Sequence, residues 1–327
     1  MAINLLALQP HKVSRDLSGY ITYIYGEGKT GKTTLATKMP SCLLLAFEKG
    51  YNAIPGIIAQ DVTSWGELKQ VLRDLKKDEV KATFKSIVVD TVDIAAACCE
   101  KYVCAQAGVE KLSDIPYGGG WTKVKKEFEE SFRAITQLGY AVVFISHVKD
   151  KEFTRKDGSK YNQQVPSCPT TYNDIAKNMA DIYAFAEKYE DNGVAKVRLV
   201  IRSLDNSADT GCRFKYIAPV IDFEYEALVK ALNDAIDAEA KNSGNALVTD
   251  AREVAPEVVD YDYDALIKEF ESIVGQLMEK DQAFYTPRIT QIVDKYLGKG
   301  KKVSETTRDQ AEFLYLIVSE MKSDLLN

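Results

Sequence analysis

Eight consecutive residues, Gly26-Glu27-Gly28-Lys29-Thr30-Gly31-Lys32-Thr33, carry glycines, a lysine and a hydroxyl at the spacing G-x-x-x-x-G-K-[ST]. Glycines let the backbone bend around an anion, so that successive N–H groups converge on it. A following helix adds the positive end of its dipole. In such a loop the backbone from Gly26 to Thr34 cradles the phosphates of a nucleoside triphosphate. The Lys32 ammonium reaches the outer phosphates and the Thr33 hydroxyl ligates Mg²⁺. Asp90 ends the apolar run Ile87-Val88-Val89, where a carboxylate would hold the metal, usually through water. Glu48 and His147 end two further apolar runs. The chemistry expected is nucleoside triphosphate binding with Mg²⁺.

A phosphate loop requires a strand before it and a helix after it. Residues 20–25 are β-branched and aromatic and predict the strand, and residues 32–38 predict the helix. Residues 42–47 read as a strand buried on both faces. Ser64 and Glu67 have capping-box spacing ahead of Leu68, Val71, Leu72 and Leu75. A strand over 84–89, a helix over 92–107, a helix over 121–138 and a strand over 140–145 follow. Gly139 is a plausible residue just past the helix end. Strands reading as apolar runs between helices predict an α/β fold with a mostly parallel central sheet. Functional groups then gather at the carboxyl ends of the strands. Lys32, Glu48, Asp90 and His147 all fall there.

Residues 149–171 lack apolar periodicity and are long for a connection. Residues 181–190 and 194–203 alternate around Asp191-Asn192-Gly193, a hairpin signal. A last strand is expected over 213–223 and an amphipathic helix over 224–241. Residues 242–261 mix Asn, Ser, Gly, Asp and Pro and read as a linker. Three helical patterns follow, over 263–279, from Thr286-Pro287 to residue 297, and over 304–326. The expected domains are therefore 1–241, a linker 242–261 and a helical module 262–327.

The 327 residues are 46% hydrophobic and 28% charged, as in ordinary globular proteins. No apolar run approaches the ~20 residues of a membrane span, and the first nine residues lack a basic leader. A cytoplasmic protein without a membrane partner is expected. Cys98, Cys99 and Cys104 fall in a helical pattern and read as buried thiols rather than metal ligands. The net charge of −6 is uneven: residues 224–327 carry −9 and residues 1–223 carry +3. The acidic balance argues against indiscriminate nucleic-acid binding, and the mildly basic first part leaves specific binding open.

Residues 26–33, Glu48, 87–91, 117–121 and 142–149 together resemble the RecA-like ATPases, and most of all the compact phage recombination proteins of the Sak type. The resemblance spans about residues 18–225 and leaves the helical module outside. It implies a RecA-like P-loop core that uses ATP and Mg²⁺, assembles as a ring or filament, and acts with single-stranded DNA in recombination or annealing. A single-strand-binding protein would be a further partner, and a phage-encoded chain would work in the bacterial host cytoplasm. Glu48 would activate the attacking water and His147 would sense the γ-phosphate, although RecA itself has glutamine there. By position, residues 115–121 and 148–172 would line the DNA path. The first carries Tyr117 and Trp121. The second carries Lys149, Lys151, Arg155, Lys156 and Lys160 with Phe153 and Tyr161 interleaved, basic groups for phosphates and aromatic faces for bases. Asp150, Glu152 and Asp157 reduce that loop to a net +2, which also suits a solvated surface.

Lys196, Arg198, Arg202, Arg213 and Lys215 are candidates for a cation supplied across a subunit interface, worth ~10³–10⁵ in rate. The rival readings are a ring-forming helicase or loader motor, a small-molecule kinase, and an assembly protein that binds nucleotide without hydrolysing it. No lid rich in arginine favours the kinase.

Overall fold

The apolar runs of the first two thirds of the chain lie side by side in one sheet. The structure, a computed structural model, describes residues 9–244, 247–252 and 261–326. The apolar run Ile3-Asn4-Leu5-Leu6-Ala7-Leu8, which the sequence alone leaves as either a strand of the core or a contact with a neighbouring subunit, lies outside them. In the unit Pro10–Glu257 the chain forms β1 (Val13–Ser14), β2 (Thr22–Gly26), α1 (Lys32–Ala36), β3 (Cys42–Ala46) and β4 (Ile58–Asp61). Next come α2 (Trp65–Asp74), α3 (Asp78–Thr83), β5 (Ser86–Asp90), α4 (Val92–Ala107) and α5 (Gly119–Gln137). The unit continues with β6 (Ala141–Thr154), β7 (Lys160–Pro166), α6 (Thr170–Met179), β8 (Ile182–Asp191) and β9 (Val194–Val200). It closes with β10 (Gly211–Cys212), β11 (Val220–Asp222), α7 (Tyr225–Ser243) and β12 (Val248–Thr249).

The main sheet has the order β11-β9-β8-β2-β6-β5-β3-β4. The six strands from β8 to β4 are parallel, β9 returns antiparallel to β8, and β11 is antiparallel to β9. The α/β class with a mostly parallel sheet is thus as the apolar runs predict. Successive residues of each strand feed opposite layers. Tyr23, Tyr25, Ile87 and Val89 pack with α2, α4, α5 and α6, whereas Ile24, Leu44, Val88 and Val143 pack with α1 and α7. Burial on both faces explains why these strands do not alternate. The order also places β6 between the phosphate-loop strand β2 and the Asp90 strand β5, so three functional strand ends lie adjacent.

Three local expectations are corrected. β6 does not end near His147 but runs on to Thr154 and turns back as β7, so residues 149–166 form an antiparallel hairpin rather than an irregular connection. The strand expected over 213–223 is reduced to β11, with β10 just before it on β8. Within 242–261, Val248 and Thr249 pair in parallel with Val13 and Ser14.

The unit Val258–Asn327 holds α8 (Tyr263–Leu297) and α9 (Ala311–Met321). Leu266, Ile273, Leu277, Ile289, Leu314 and Ile317 form its core. The first two expected helices are one element broken at Asp281, whose backbone is extended and whose carboxylate accepts from Phe284 N (3.0 Å). That side chain caps the second segment five residues before Thr286, and Pro287 lies inside it. Among the described residues no helix is long and apolar enough to cross a membrane.

Candidate nucleotide site and adjoining hairpin

The phosphate loop leaves β2 at Gly26, where a Cβ would stand 2.6 Å from the Ala186 carbonyl oxygen. Only glycine lets β8 lie this close. Gly31, at φ +88°, turns the loop into α1. Lys32 is buried, and its Nζ donates to the carbonyls of Gly26 (2.9 Å) and Glu27 (2.6 Å). Burial lowers its pKa, against the opposing pull of Asp90, Glu48 and Asp93. An ammonium satisfied only by neutral dipoles is suited to an anionic phosphate, which is a stronger partner.

Asp90 organises the opposite wall. Its Oδ2 accepts from Thr33 Oγ1 at 2.7 Å, and its backbone carbonyl accepts from Phe47 N (2.7 Å) and Glu48 N (3.0 Å). The end of β5 therefore fixes the residue that leaves β3. Burial raises the Asp90 carboxyl, the Thr33 hydrogen bond lowers it, and the Glu48 charge raises it further. A hydroxyl and a buried carboxylate in contact match the donor set of Mg²⁺, which takes one or two carboxylates together with phosphate oxygens. Thr91 Oγ1, also buried, has no partner among the described residues. Sequence reasoning missed Thr91, whose role depends on the wall assembled around it.

A cavity of about 540 Å³ is lined by the phosphate loop with Glu48, Asp90, Thr91 and His147. Through Thr34 and Ile54 it adjoins a second cavity of about 470 Å³, walled by Met39, Pro55, Ile57 and Phe84. Phosphates fit the first space, against the loop, and a nucleoside the second, which it adjoins. Tyr51, which follows Gly50 of the first cavity, donates its hydroxyl to Asp61 (2.6 Å). Glu48 Oε2 and His147 Nε2 are 3.1 Å apart, with side chains 42% and 40% exposed, so water reaches both. The structure thus brings together Lys32, Thr33, Thr34, Glu48, Asp90 and His147 around one space. Glu27 turns outward to Lys188 of β8 (2.7 Å), a cation near the loop that sequence reasoning also missed.

The hairpin sorts its charges by face. Alternation along β6 puts Lys149, Lys151 and Phe153 opposite Val165, Gln163 and Tyr161. Phe153 stacks on Tyr161 (centroids 5.6 Å, 25° between planes), Lys151 lies 5.0 Å from the Phe153 ring, and Arg155 lies 4.4 Å from the Tyr161 ring. Asp150 and Glu152 occupy the other face, bonded to Gln164 (2.6 Å) and Lys160 (2.8 Å). Lys160 therefore belongs with the acids, not with the basic face. Lys156 is exposed in the turn.

Tyr117 is fully exposed at φ +57° in the turn Pro116–Gly118, and Trp121 is 56% exposed in the first turn of α5. The candidate trans-acting cations all have neighbours within the chain. Arg198 pairs with Glu187 (2.6 Å) and Arg213 with Asp181 (3.4 Å), while Lys215 lies against Tyr216. Arg202 donates to the carbonyls of Cys212 (3.2 Å) and Phe214 (2.8 Å), which makes it a backbone clamp.

A parallel sheet with a phosphate loop, an acidic strand end and a second carboxylate facing one cavity defines a P-loop nucleotide-binding core. Residues 18–214 match the family model described as AAA domain, and the chain belongs to that family. It is 31% identical over 342 residues to the SPbeta prophage-derived uncharacterized protein YorG of Bacillus subtilis (strain 168), covering all of this chain and 99% of that one. Among solved structures it is similar to a KaiC-like protein of Pyrococcus horikoshii OT3 (13% identity, TM-score 0.35, 60% of this chain and 89% of that one). It is also similar to the RadB recombinase (15% identity, TM-score 0.34, 56% and 80%).

Proposed function

We propose that this chain is an ATP-dependent, single-stranded-DNA-binding ATPase of phage-type recombination or strand annealing. The observation that carries the reading is the hairpin. Its basic and aromatic face extends from the same strand that holds His147 against Glu48. Cations track phosphates and aromatic faces stack on bases without regard to sequence. The acids that blur this signal in the sequence point the other way. A prophage-derived relative over the full length supports a phage setting in the host cytoplasm.

In the nucleotide site Lys32 binds the outer phosphates, and Thr33 with Asp90 holds Mg²⁺, which supplies charge neutralisation at the phosphate oxygens when bound. Glu48 orients water toward the γ-phosphate, and His147 positions Glu48. Adjacent copies in a ring or filament would line up their hairpins along one strand and contribute a cation to the neighbouring site. Arg198, Arg213 and Lys215 remain the candidates for this cation, whereas the Arg202 guanidinium clamps the backbone. A single-strand-binding protein is the partner expected to hand over the DNA.

The test is fluorescence anisotropy with a labelled oligothymidine at low salt, with and without Mg²⁺-ATP. Phe153→Ala or Tyr161→Ala should weaken binding about tenfold or more, as loss of one stacking platform does. Wild-type protein that ignores the oligonucleotide at low salt would overturn the DNA reading.

A further inference from the structure

Ser167 closes the hairpin and is tied at three points. Its N–H donates to the His147 carbonyl (2.8 Å) and its own carbonyl accepts from Lys149 Nζ (3.1 Å). Its Oγ donates to Asp93 Oδ1. Asp93 stands in the first turn of α4, three residues beyond Asp90, and its other oxygen is buried without a partner among the described residues. Beyond Ser167 the chain is anchored: Cys168 and Tyr172 are buried, and the Tyr172 hydroxyl donates to Glu100 of α4 (2.7 Å). Before it Val165 is buried and the Gln164 backbone is bonded to Ser207 (2.8 Å), Asp209 (2.9 Å) and the Tyr25 hydroxyl (3.0 Å), and further out residues 150–162 project toward solvent. Ser167 thus sits in the anchored base of the hairpin, and three functional lines meet there. One leads through β6 and His147 to Glu48. One leads through Asp93 along α4 to Asp90. The third leads through Lys149 to the basic face.

We propose that Ser167 and Asp93 are positioning residues that couple nucleotide occupancy to the conformation of the hairpin. Any shift of the Asp90–Glu48 wall on binding Mg²⁺ and triphosphate moves the start of α4, and the Asp93–Ser167 bond carries that movement to the hairpin base. A phosphate that draws Lys149 away from the Ser167 carbonyl acts on the same point from outside. With nucleotide holding the hairpin in its DNA-binding conformation, linkage requires that DNA strengthen nucleotide binding by the same factor, typically about 5–150-fold for couplings of this kind. This inference rests on the nucleotide-site reading, and its DNA arm rests on the DNA reading.

The test is hydrogen exchange over residues 149–166 of the full chain, with and without Mg²⁺ and a non-hydrolysable ATP analogue. Wild type and Ser167→Thr, which keeps the hydroxyl, should show slower hairpin exchange with the analogue. Ser167→Ala and Asp93→Ala should lose that response while their affinity for the analogue stays within about twofold, a split that general unfolding does not produce. In the DNA arm, the nucleotide-dependent gain in oligothymidine affinity should be about tenfold in wild type and close to onefold in both alanine variants. Retained nucleotide-dependent protection in both alanine variants overturns the proposal, as does its absence in wild type. If wild type shows the protection but binds no DNA, the DNA reading falls and the exchange result alone decides the coupling.

Discussion

Glu48 Oε2 lies 3.1 Å from His147 Nε2, which joins the residue leaving β3 to the strand that continues into the hairpin. The contact gives the carboxylate a defined direction over the phosphate cavity. Glu48→Gln should abolish steady-state ATP hydrolysis while leaving nucleotide binding intact, because the amide cannot accept the proton of an attacking water. His147→Ala should lower kcat by about tenfold or more with little change in KM, a modest share of the ~10²–10⁴ that a positioned acid or base contributes. A change confined to KM would show that His147 only helps bind substrate.

The buried Asp90 carboxyl predicts an unusual pH dependence of stability. Its folded-state pKa is raised, mainly by burial, so the protonated form is favoured in the fold. The cost of ionising it is absent at pH below the unfolded carboxylate value and grows as pH rises through the raised one. Asp90→Asn never carries that cost and keeps an acceptor for Thr33. Its Tm advantage over wild type, without nucleotide, should therefore widen from about pH 4 toward neutrality. Adding Mg²⁺-ATP at neutral pH should stabilise wild type more than the variant. Parallel Tm curves across that range would contradict the placement of a charged carboxylate there.

Gly26 is needed for contact rather than for flexibility. A methyl group there meets the Ala186 carbonyl at 2.6 Å and forces β8 away from β2. Gly26→Ala should cost about 1–3 kcal/mol, the usual range for overpacking, measurable by urea unfolding. Gly28→Ala, with nothing within 4 Å of the added carbon, should be nearly neutral for stability.

The two faces of the hairpin should separate in binding. Lys151→Ala and Arg155→Ala should each lower oligothymidine affinity and flatten its salt dependence by about one unit of the log–log slope. Lys160→Ala, on the acid-lined face with Glu152, should do neither. Equal effects at all three positions would mean diffuse charge rather than a face.

These structural relationships were legible in the sequence to different depths. Gly26–Thr33, Glu48 and Asp90 stand at the ends of apolar runs, and a parallel sheet gathers strand ends on one side whatever the connections do. The hairpin was hidden because both its faces carry polar residues, so Lys149, Asp150, Lys151 and Glu152 alternate in charge without alternating in hydropathy. Thr91 and the Asp93–Ser167 bond depend on residues far apart in the chain and leave no local pattern. In α8 the proline after Thr286 suggested a helix start, but the Asp281 carboxylate caps the backbone five residues earlier. Two valid local signals competed, and side-chain geometry decided between them.

The most direct test of the account is the steady-state ATPase rate with and without single-stranded DNA at two salt concentrations, with Lys32→Ala as the blank. The account predicts hydrolysis that DNA stimulates at low salt, with the stimulation fading as salt competes for the phosphates. A rate no higher than that of Lys32→Ala, with or without DNA, would contradict it.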